Sequence, residues 1–423
     1  MQILDFSIKP HIKGEKHWSV PINQLYHPTE IFGQDNKQLI YSRDAINTTK
    51  FVPILLKEWF YIIRKDGYLV IDYKPNKFVD FHKLEKKMWW LWKGKYDILY
   101  HGPVGPSQLS NLDKKKLATF IEKLSSQEKI KHVMQNSQKD HLRFICKKIA
   151  STQIPRDDIN HWTFGIITKG ERDDWLEEII AAIRSQKIPH YEIIVCGTYK
   201  DRHEKDFTYI PFKDRDDKGW ITKKKNMIAR TAKYENLCVI HDRMVLDKNW
   251  FSGMKKYGNC FEFLGNKQIL KGTNQRAGDW LTYGSKKLDT PYQISQLAYQ
   301  DWDEYIYVSG QLYVLKKSIW NMCQLDETRY WGEEDVELSF RARDLGYLIR
   351  FNEYSSCTAL AWRFSELPTK YYPSQIIPRD KTLRRLMRMS ARMVFSIPGV
   401  QKVAMPLVNE FLKSKTYNFL INH

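Results

Sequence analysis

The chain has 423 residues, with 68 Lys and Arg against 49 Asp and Glu for a formal net charge of +19, and is 42% hydrophobic, 28% charged and 14% aromatic. At about 150 residues per domain this allows two to three domains with substantial cores, and the balance excludes a disordered chain or a minimal disulfide scaffold. No apolar run reaches the roughly 18 residues of a membrane span, and the start MQILDFSIKPHIKGEK lacks a charged segment followed by an apolar one, so the expectation is a cytoplasmic protein. Cys146, Cys196, Cys238, Cys260, Cys323 and Cys357 are scattered without C-x-x-C or zinc spacing and read as reduced core thiols. The positive excess suits nucleic acid, an anionic membrane surface or an anionic small substrate, and charge alone does not choose.

Along the chain, residues 1–150 form a first region. The run QLIYSRDAI (38–46) is followed by FVPILLKEWFYIIRKDGYLVIDYKPN, a helix that ends in the turn Lys65-Asp66-Gly67 and feeds the strand Tyr68–Ile71. This segment resembles the later half of a class I methyltransferase. The resemblance implies a Rossmann-like α/β domain whose first strand should end in a glycine-rich loop, because a side chain there keeps the backbone from S-adenosylmethionine. Residues 3–10, ILDFSIKP, carry no glycine. A degenerate domain that binds no S-adenosylmethionine is therefore expected, kept as a structural or acceptor-docking module. The cluster Met88-Trp89-Trp90-Leu91-Trp92 reads as core, with an interface to the region beyond 159 as the alternative.

The polar stretch STQIPRDDIN (151–160) precedes a fresh apolar strand and marks a boundary. A second region, 159–365, opens with the strand Phe164–Thr168, a helix in ERDDWLEEIIAAIRSQ with Trp175, Ile179, Ile180 and Ile183 at helical spacing, and the strand Tyr191–Gly197. Strand, helix and strand in alternation predict a mostly parallel sheet, with ligands at the carboxyl ends of its strands. A basic helix start, Lys223-Lys224-Lys225-Asn226, leads to the strand Leu237–Ile240, which ends in His241-Asp242-Arg243. Beyond Phe364 a proline- and aromatic-rich stretch gives way to a basic extension over 366–423, read as helical, with Leu383, Leu386, Met387, Met393 and Val394 along one face.

Four segments in this order resemble the GT-A fold, family 2-like inverting glycosyltransferases: WTFGIITKGERDDWLEEIIAAIRSQKIPHYEIIVCG, KKKNMIARTAKYENLCVIHDRMVLDKNWF, Tyr307-Val-Ser-Gly310, and WGEEDVELSFR starting at Trp331. The resemblance implies an α/β GT-A domain over 159–365 that moves a sugar from a nucleotide-sugar donor. Asp335 would be the general base, at a helix start whose dipole favours an anion. Glu334 would bind or orient the acceptor, beside Trp331, Gly332 and Gly310.

The family's Asp-x-Asp strand end, which helps to hold Mn2+ or Mg2+ against the diphosphate, is here His241-Asp242-Arg243. Three readings follow: Asp242 binds the metal with His241 as a nitrogen ligand, Arg243 replaces the metal as a fixed cation, or the site is inactive. By position, Thr168, Lys169 and Gly170 would lie over the nucleotide base, Gly197 would stand where the family often has an aspartate, and Lys225 and Asn226 would lie near the diphosphate. Asp279 with Trp280 suits a sugar or acceptor pocket, as an aromatic face beside a carboxylate; both fit a core equally.

The leading expectation is an inverting glycosyltransferase acting on a glycan or lipid-linked acceptor in surface polysaccharide or glycoconjugate synthesis, with the basic extension resting on anionic lipid or packing on the catalytic domain. The alternatives are an S-adenosylmethionine-dependent methyltransferase and a non-catalytic polysaccharide- or nucleic-acid-binding protein. The basic residues form no identifiable reading element, so no nucleic-acid partner is expected.

Overall fold

The computed structural model describes residues 3–9, 16–17, 23–104, 115, 119, 140–154, 157–213, 220–282, 295–328, 330 and 334–361. The basic extension over 366–423, with its expected membrane contact, lies outside the described residues, as do Trp331 and Gly332.

The first region runs β1 (Ile3–Asp5), β2 (Lys16–His17), α1 (Pro28–Phe32), β3 (Lys37–Arg43), α2 (Val52–Ile62), β4 (Ile63–Tyr73), α3 (Phe81–Trp92), β5 (Tyr96–Pro103) and β6 (Leu142–Lys148). Its sheet has the order β2-β1-β3-β4-β6-β5. Strands β1 to β4 pair in parallel and β6 is antiparallel to both neighbours. Helix α2 is buried along its whole length, so VPILLKEWFYI shows little of the apolar and polar alternation of a surface helix. The expected turn at Lys65-Asp66-Gly67 does not precede the strand but lies within β4, as an irregularity in its pairing with β3 where Asp66 takes φ 64°. In α3 the buried stripe is Leu84, Met88, Leu91 and Trp92, while Trp89 is 57% exposed. The tryptophan cluster is thus split by helical periodicity rather than wholly core.

The second region runs β7 (His161–Ile167), α4 (Asp173–Ser185), β8 (His190–Gly197), β9 (Phe207–Pro211), α5 (Ile221–Thr231), β10 (Asn236–His241), β11 (Met244–Leu246), α6 (Trp250–Tyr257), β12 (Phe263–Leu270), β13 (Leu281–Thr282), β14 (Ser295–Gln296), β15 (Ile306–Tyr307), β16 (Leu312–Lys316), α7 (Lys317–Met322), α8 (Glu334–Asp344) and β17 (Ile349–Ala359). Eight strands form one sheet in the order β11-β17-β12-β16-β10-β7-β8-β9, and β14-β13-β15 form a small antiparallel sheet. The large sheet is parallel from β9 through β8 and β7 to β10, and reverses at β16, which is antiparallel to β10 and β12. With β12 and β17 running the same way as β10, six of its eight strands share one direction and only β16 and β11 are reversed, as a mostly parallel sheet requires.

Chain order runs outward from β7 in both directions, to β8 and β9 on one side and to β10 on the other. The gap between the carboxyl ends of β7 and β10 is the topological switch point, where open α/β sheets bind ligands. Helix α4 packs through Leu176, Ile179, Ile180 and Ile183, while Trp175 is only partly buried. Helix α5 lies over β7 because Gly165 leaves room: a Cβ there would stand 2.1 Å from Ile228 Cγ2. All six cysteines are buried thiols. Of two apolar clusters among the described residues, one includes Leu55, Phe60 and Trp92 of the first region and Phe263, Tyr313, Trp320 and Phe351 of the second, so the two sheets share packing.

Candidate functional site

Beyond β7 the chain turns at Thr168, and beyond β10 it turns at Asp242. The two ends meet: Thr168 Oγ1 donates to Asp242 Oδ2 at 3.0 Å, and Arg172, from the loop before α4, donates from Nη1 to Asp242 Oδ1 at 2.9 Å. Lys224 on α5 donates to the Thr168 carbonyl at 2.7 Å, and the Gly170 amide donates to Thr168 Oγ1 at 3.0 Å. Gly197, ending β8, presses against this turn, since a Cβ there would stand 2.1 Å from the Thr168 carbonyl oxygen. Lys169 and Gly170 are exposed at the rim. Thr168, Gly170, Gly197 and Asp242 thus lie together at the switch point.

The next residue on α5 reaches a second cluster. Lys225 is fully buried; its Nζ donates to the Gly310 carbonyl at 2.9 Å and lies 3.3 Å from Glu334 Oε1. It also stands 4.4 Å from the centre of the Tyr313 ring. The Gly310 amide donates to Asp335 Oδ2 at 2.9 Å. One peptide segment thus faces both a cation and a carboxylate, and the approach is close enough that a Cβ on Gly310 would stand 2.8 Å from Glu334 Oε1.

Asp335 stands in the first turn of α8 beside Glu334. Burial and the adjacent Glu334 charge push its carboxyl up to about 6, against the pull of the Gly310 amide and of Lys225. Burial in turn lowers Lys225, which Glu334 and Asp335 oppose. Arg243 lies near enough to Lys225 to disfavour its charge, which ties the end of β10 to this second cluster. A carboxyl poised near neutrality beside a fixed cation can take up a proton.

Three expected residues belong elsewhere. Asn226 is buried and spends its amide on the 320–327 segment, donating to the Leu325 carbonyl at 2.8 Å and to Glu327 Oε1 at 3.1 Å. Its Oδ1 accepts from Trp320 Nε1 at 3.0 Å and the Leu325 amide at 3.1 Å, so it holds that segment and faces no diphosphate. Asp279 is fully buried, with Oδ1 accepting from Arg276 at 2.7 Å and Oδ2 from the Gln268 amide at 3.1 Å and Tyr299 at 2.9 Å. Trp280 is equally buried and donates to the Asp301 carbonyl at 2.9 Å. Neither offers a face to a sugar.

The expected metal pair also fails on its donor set. Both Asp242 oxygens already accept from Thr168 and Arg172, and no group of three His, Cys, Asp or Glu side chains able to hold an ion occurs among the described residues. A hard divalent ion on a diphosphate is held through one or two free carboxylates of the chain, with waters and phosphate oxygens completing the shell. Here a guanidinium stands against the one carboxylate, so His241 and Asp242 do not fit a chain-held metal. Arg172 and Lys224 escaped sequence reasoning. Arg172 sits in a loop without a motif, and Lys224 is hidden in a lysine run that reads as a solvated helix start.

No family model matches the chain, and no curated protein matches it. Among solved structures it overlaps GalNAc-T7, crystallised with UDP, GalNAc and Mn2+, at a TM-score of 0.37 and 13% identity, over 49% of this chain and 45% of that one. It overlaps S. aureus TarS at a TM-score of 0.34 and 11% identity, over 48% of this chain and 37% of that one. The chain spans less than half the length of these two proteins. Likeness at this level assigns neither activity nor ligand. No helix among the described residues is long and apolar enough to cross a membrane.

Proposed function

We propose that the chain is an inverting glycosyltransferase of the GT-A type, moving a sugar from a nucleotide-sugar donor to a hydroxyl of a glycan or lipid-linked acceptor. The observation that carries this reading is the joining of Asp335, Glu334, Lys225 and Gly310 beside the switch point where Thr168, Arg172 and Asp242 meet. In the step, the acceptor oxygen bonds to the anomeric carbon as the bond from that carbon to the diphosphate oxygen breaks. The acceptor proton passes to Asp335, and the electron pair leaves with the nucleoside diphosphate. Glu334 orients the acceptor, Lys225 pairs with Glu334, and the Gly310 amide holds Asp335 in place. Fixed cations facing developing negative charge lower the barrier without reorganising.

The first region is read as a methyltransferase-like domain without cofactor, supported by the missing glycines and by its occupied strand ends. Asp72, near the end of β4, is held in a two-pronged ion pair by Arg143 at 2.6 Å and accepts from Tyr41 at 2.7 Å. The reading of domains over 1–150 and 159–365 is supported by the separation of the described strands of the two regions into different sheets.

Asp335→Asn in the full chain is the test. Transfer from the accepted nucleotide sugar should fall by about a hundredfold or more, a typical general-base contribution, while nucleoside diphosphate binding is retained. Transfer within a few-fold of wild type would remove Asp335 from the base role.

A further inference from the structure

The charge around Asp242 is unusual for a place that would receive a divalent ion. Arg172 forms its ion pair with Asp242 at 2.9 Å while its side chain is 37% exposed. Among the described residues its one hydrogen bond is to that carboxylate, and its guanidinium stands 5.1 Å from the Trp175 ring centre. A guanidinium has five N–H donors in a planar fork, so most remain for an oxyanion arriving from the open side. Lys224, buried, brings a second cation to the same turn through the Thr168 carbonyl at 2.7 Å. Arg243 follows Asp242 directly at the end of β10, and its charge is near enough to Lys225 to disfavour the ammonium.

We infer that the donor's diphosphate is held by this chain's own cations, Arg172 and Arg243 with Lys224 behind them, and that Asp242 serves to fix Arg172 rather than to ligate a metal. This rests on the glycosyltransferase reading of the same site. Asp242 acts as a positioning residue: accepting from both Thr168 and Arg172, it ties the guanidinium to the carboxyl end of β7. Charge-assisted bonds from a guanidinium to phosphate oxygens are short and two-pronged, and a rigid fork loses little freedom on binding. The arrangement supplies to a departing diphosphate the positive charge that a divalent ion would otherwise bring, from side chains already in place.

The experiment is calorimetric titration of the full chain with UDP, GDP, CDP and dTDP, in EDTA and again in Mn2+. One nucleoside diphosphate should bind with dissociation constants that agree within about twofold between the two conditions. Arg172→Gln should weaken that binding by about tenfold or more in EDTA, as loss of a charge-assisted bond implies. Arg243→Gln, assayed alongside, should also weaken it and guards against a fold defect particular to one variant. Binding that appears only with Mn2+, or Arg172→Gln and Arg243→Gln variants that fold and bind like wild type, would overturn the inference and leave the glycosyltransferase reading standing. Binding of none of the four under either condition would overturn both.

Discussion

At the scale of single residues, Asp335 is the proposed base, and the raised value of its carboxyl makes a claim about pH. Because its folded value, about 6, lies above that of a free aspartate, the folded state holds the proton more tightly than the unfolded chain does. Its contribution to stability is therefore full below the unfolded value and is lost as pH rises through about 6. Transfer should rise over that same window, since the base works only when deprotonated. Asp335→Asn should accordingly be more stable than wild type at pH 7, by about 2–4 °C per kcal/mol relieved, while losing activity; a thermal melt at pH 5 and pH 7 checks this. Asp335 was singled out in the sequence through the resemblance of WGEEDVELSFR to the glycosyltransferases, since acidic residues alone are common in the first turn of any helix. The contacts of Asn226 and Asp279 were not legible there. Their roles are set by segments about 100 and about 20 residues away, the Leu325 carbonyl and Tyr299, and no local pattern carries such contacts.

At the scale of elements, α5 is the part that joins the two halves of the site, since Lys224 reaches Thr168 and Lys225 reaches Gly310. Its height over β7 is set by Gly165 against Ile228. Gly165→Val should cost about 1–3 kcal/mol, the usual penalty of overpacking, and should lower transfer beyond the loss of folded protein by lifting both lysines. A denaturation curve paired with activity per folded molecule measures both effects. The strands and helices of 159–365 were readable because their apolar periodicity is strong, as in Ile179, Ile180 and Ile183. The burial of Lys224 and Lys225 was not, because a lysine run looks the same whether its heads face water or a folded crevice.

At the scale of the whole molecule, the two sheets are joined by buried ionic bonds as well as by shared apolar core. Arg350 of β17 donates to Glu58 Oε1 of α2 at 2.8 Å and to the Tyr26 carbonyl at 2.7 Å, and His27 Nδ1 lies 2.9 Å from the same Glu58 oxygen. Beside them Lys57 pairs with Glu262 at 3.0 Å and donates to the Gly346 carbonyl at 2.6 Å. Burial would raise Glu58, but His27 and Arg350 outweigh it and hold the carboxyl down at about 2. A depressed carboxyl contributes stability above its unfolded value that is lost as pH falls toward the folded one. Glu58→Gln should therefore cost about 3–5 kcal/mol near neutrality, because Arg350 is left buried without its counter-charge, and should flatten the loss of stability between pH 4.5 and pH 2. Acid titration of the melting temperature reads both. This junction was invisible in the sequence, since nothing in EWF or LIRF marks them as partners almost 300 positions apart.

The central claim is that a nucleotide-sugar donor binds at the switch point by Thr168 and Asp242, beside the proposed base Asp335. Hydrogen exchange of the full chain, with and without the nucleoside diphosphate that binds it, tests this most directly. The account predicts slowed exchange together in the peptides covering 168–172, 221–226, 241–243 and 310, with the strand ends of the first sheet unchanged. Protection confined to the first sheet, or absent from the segments around Thr168 and Asp242, would contradict it.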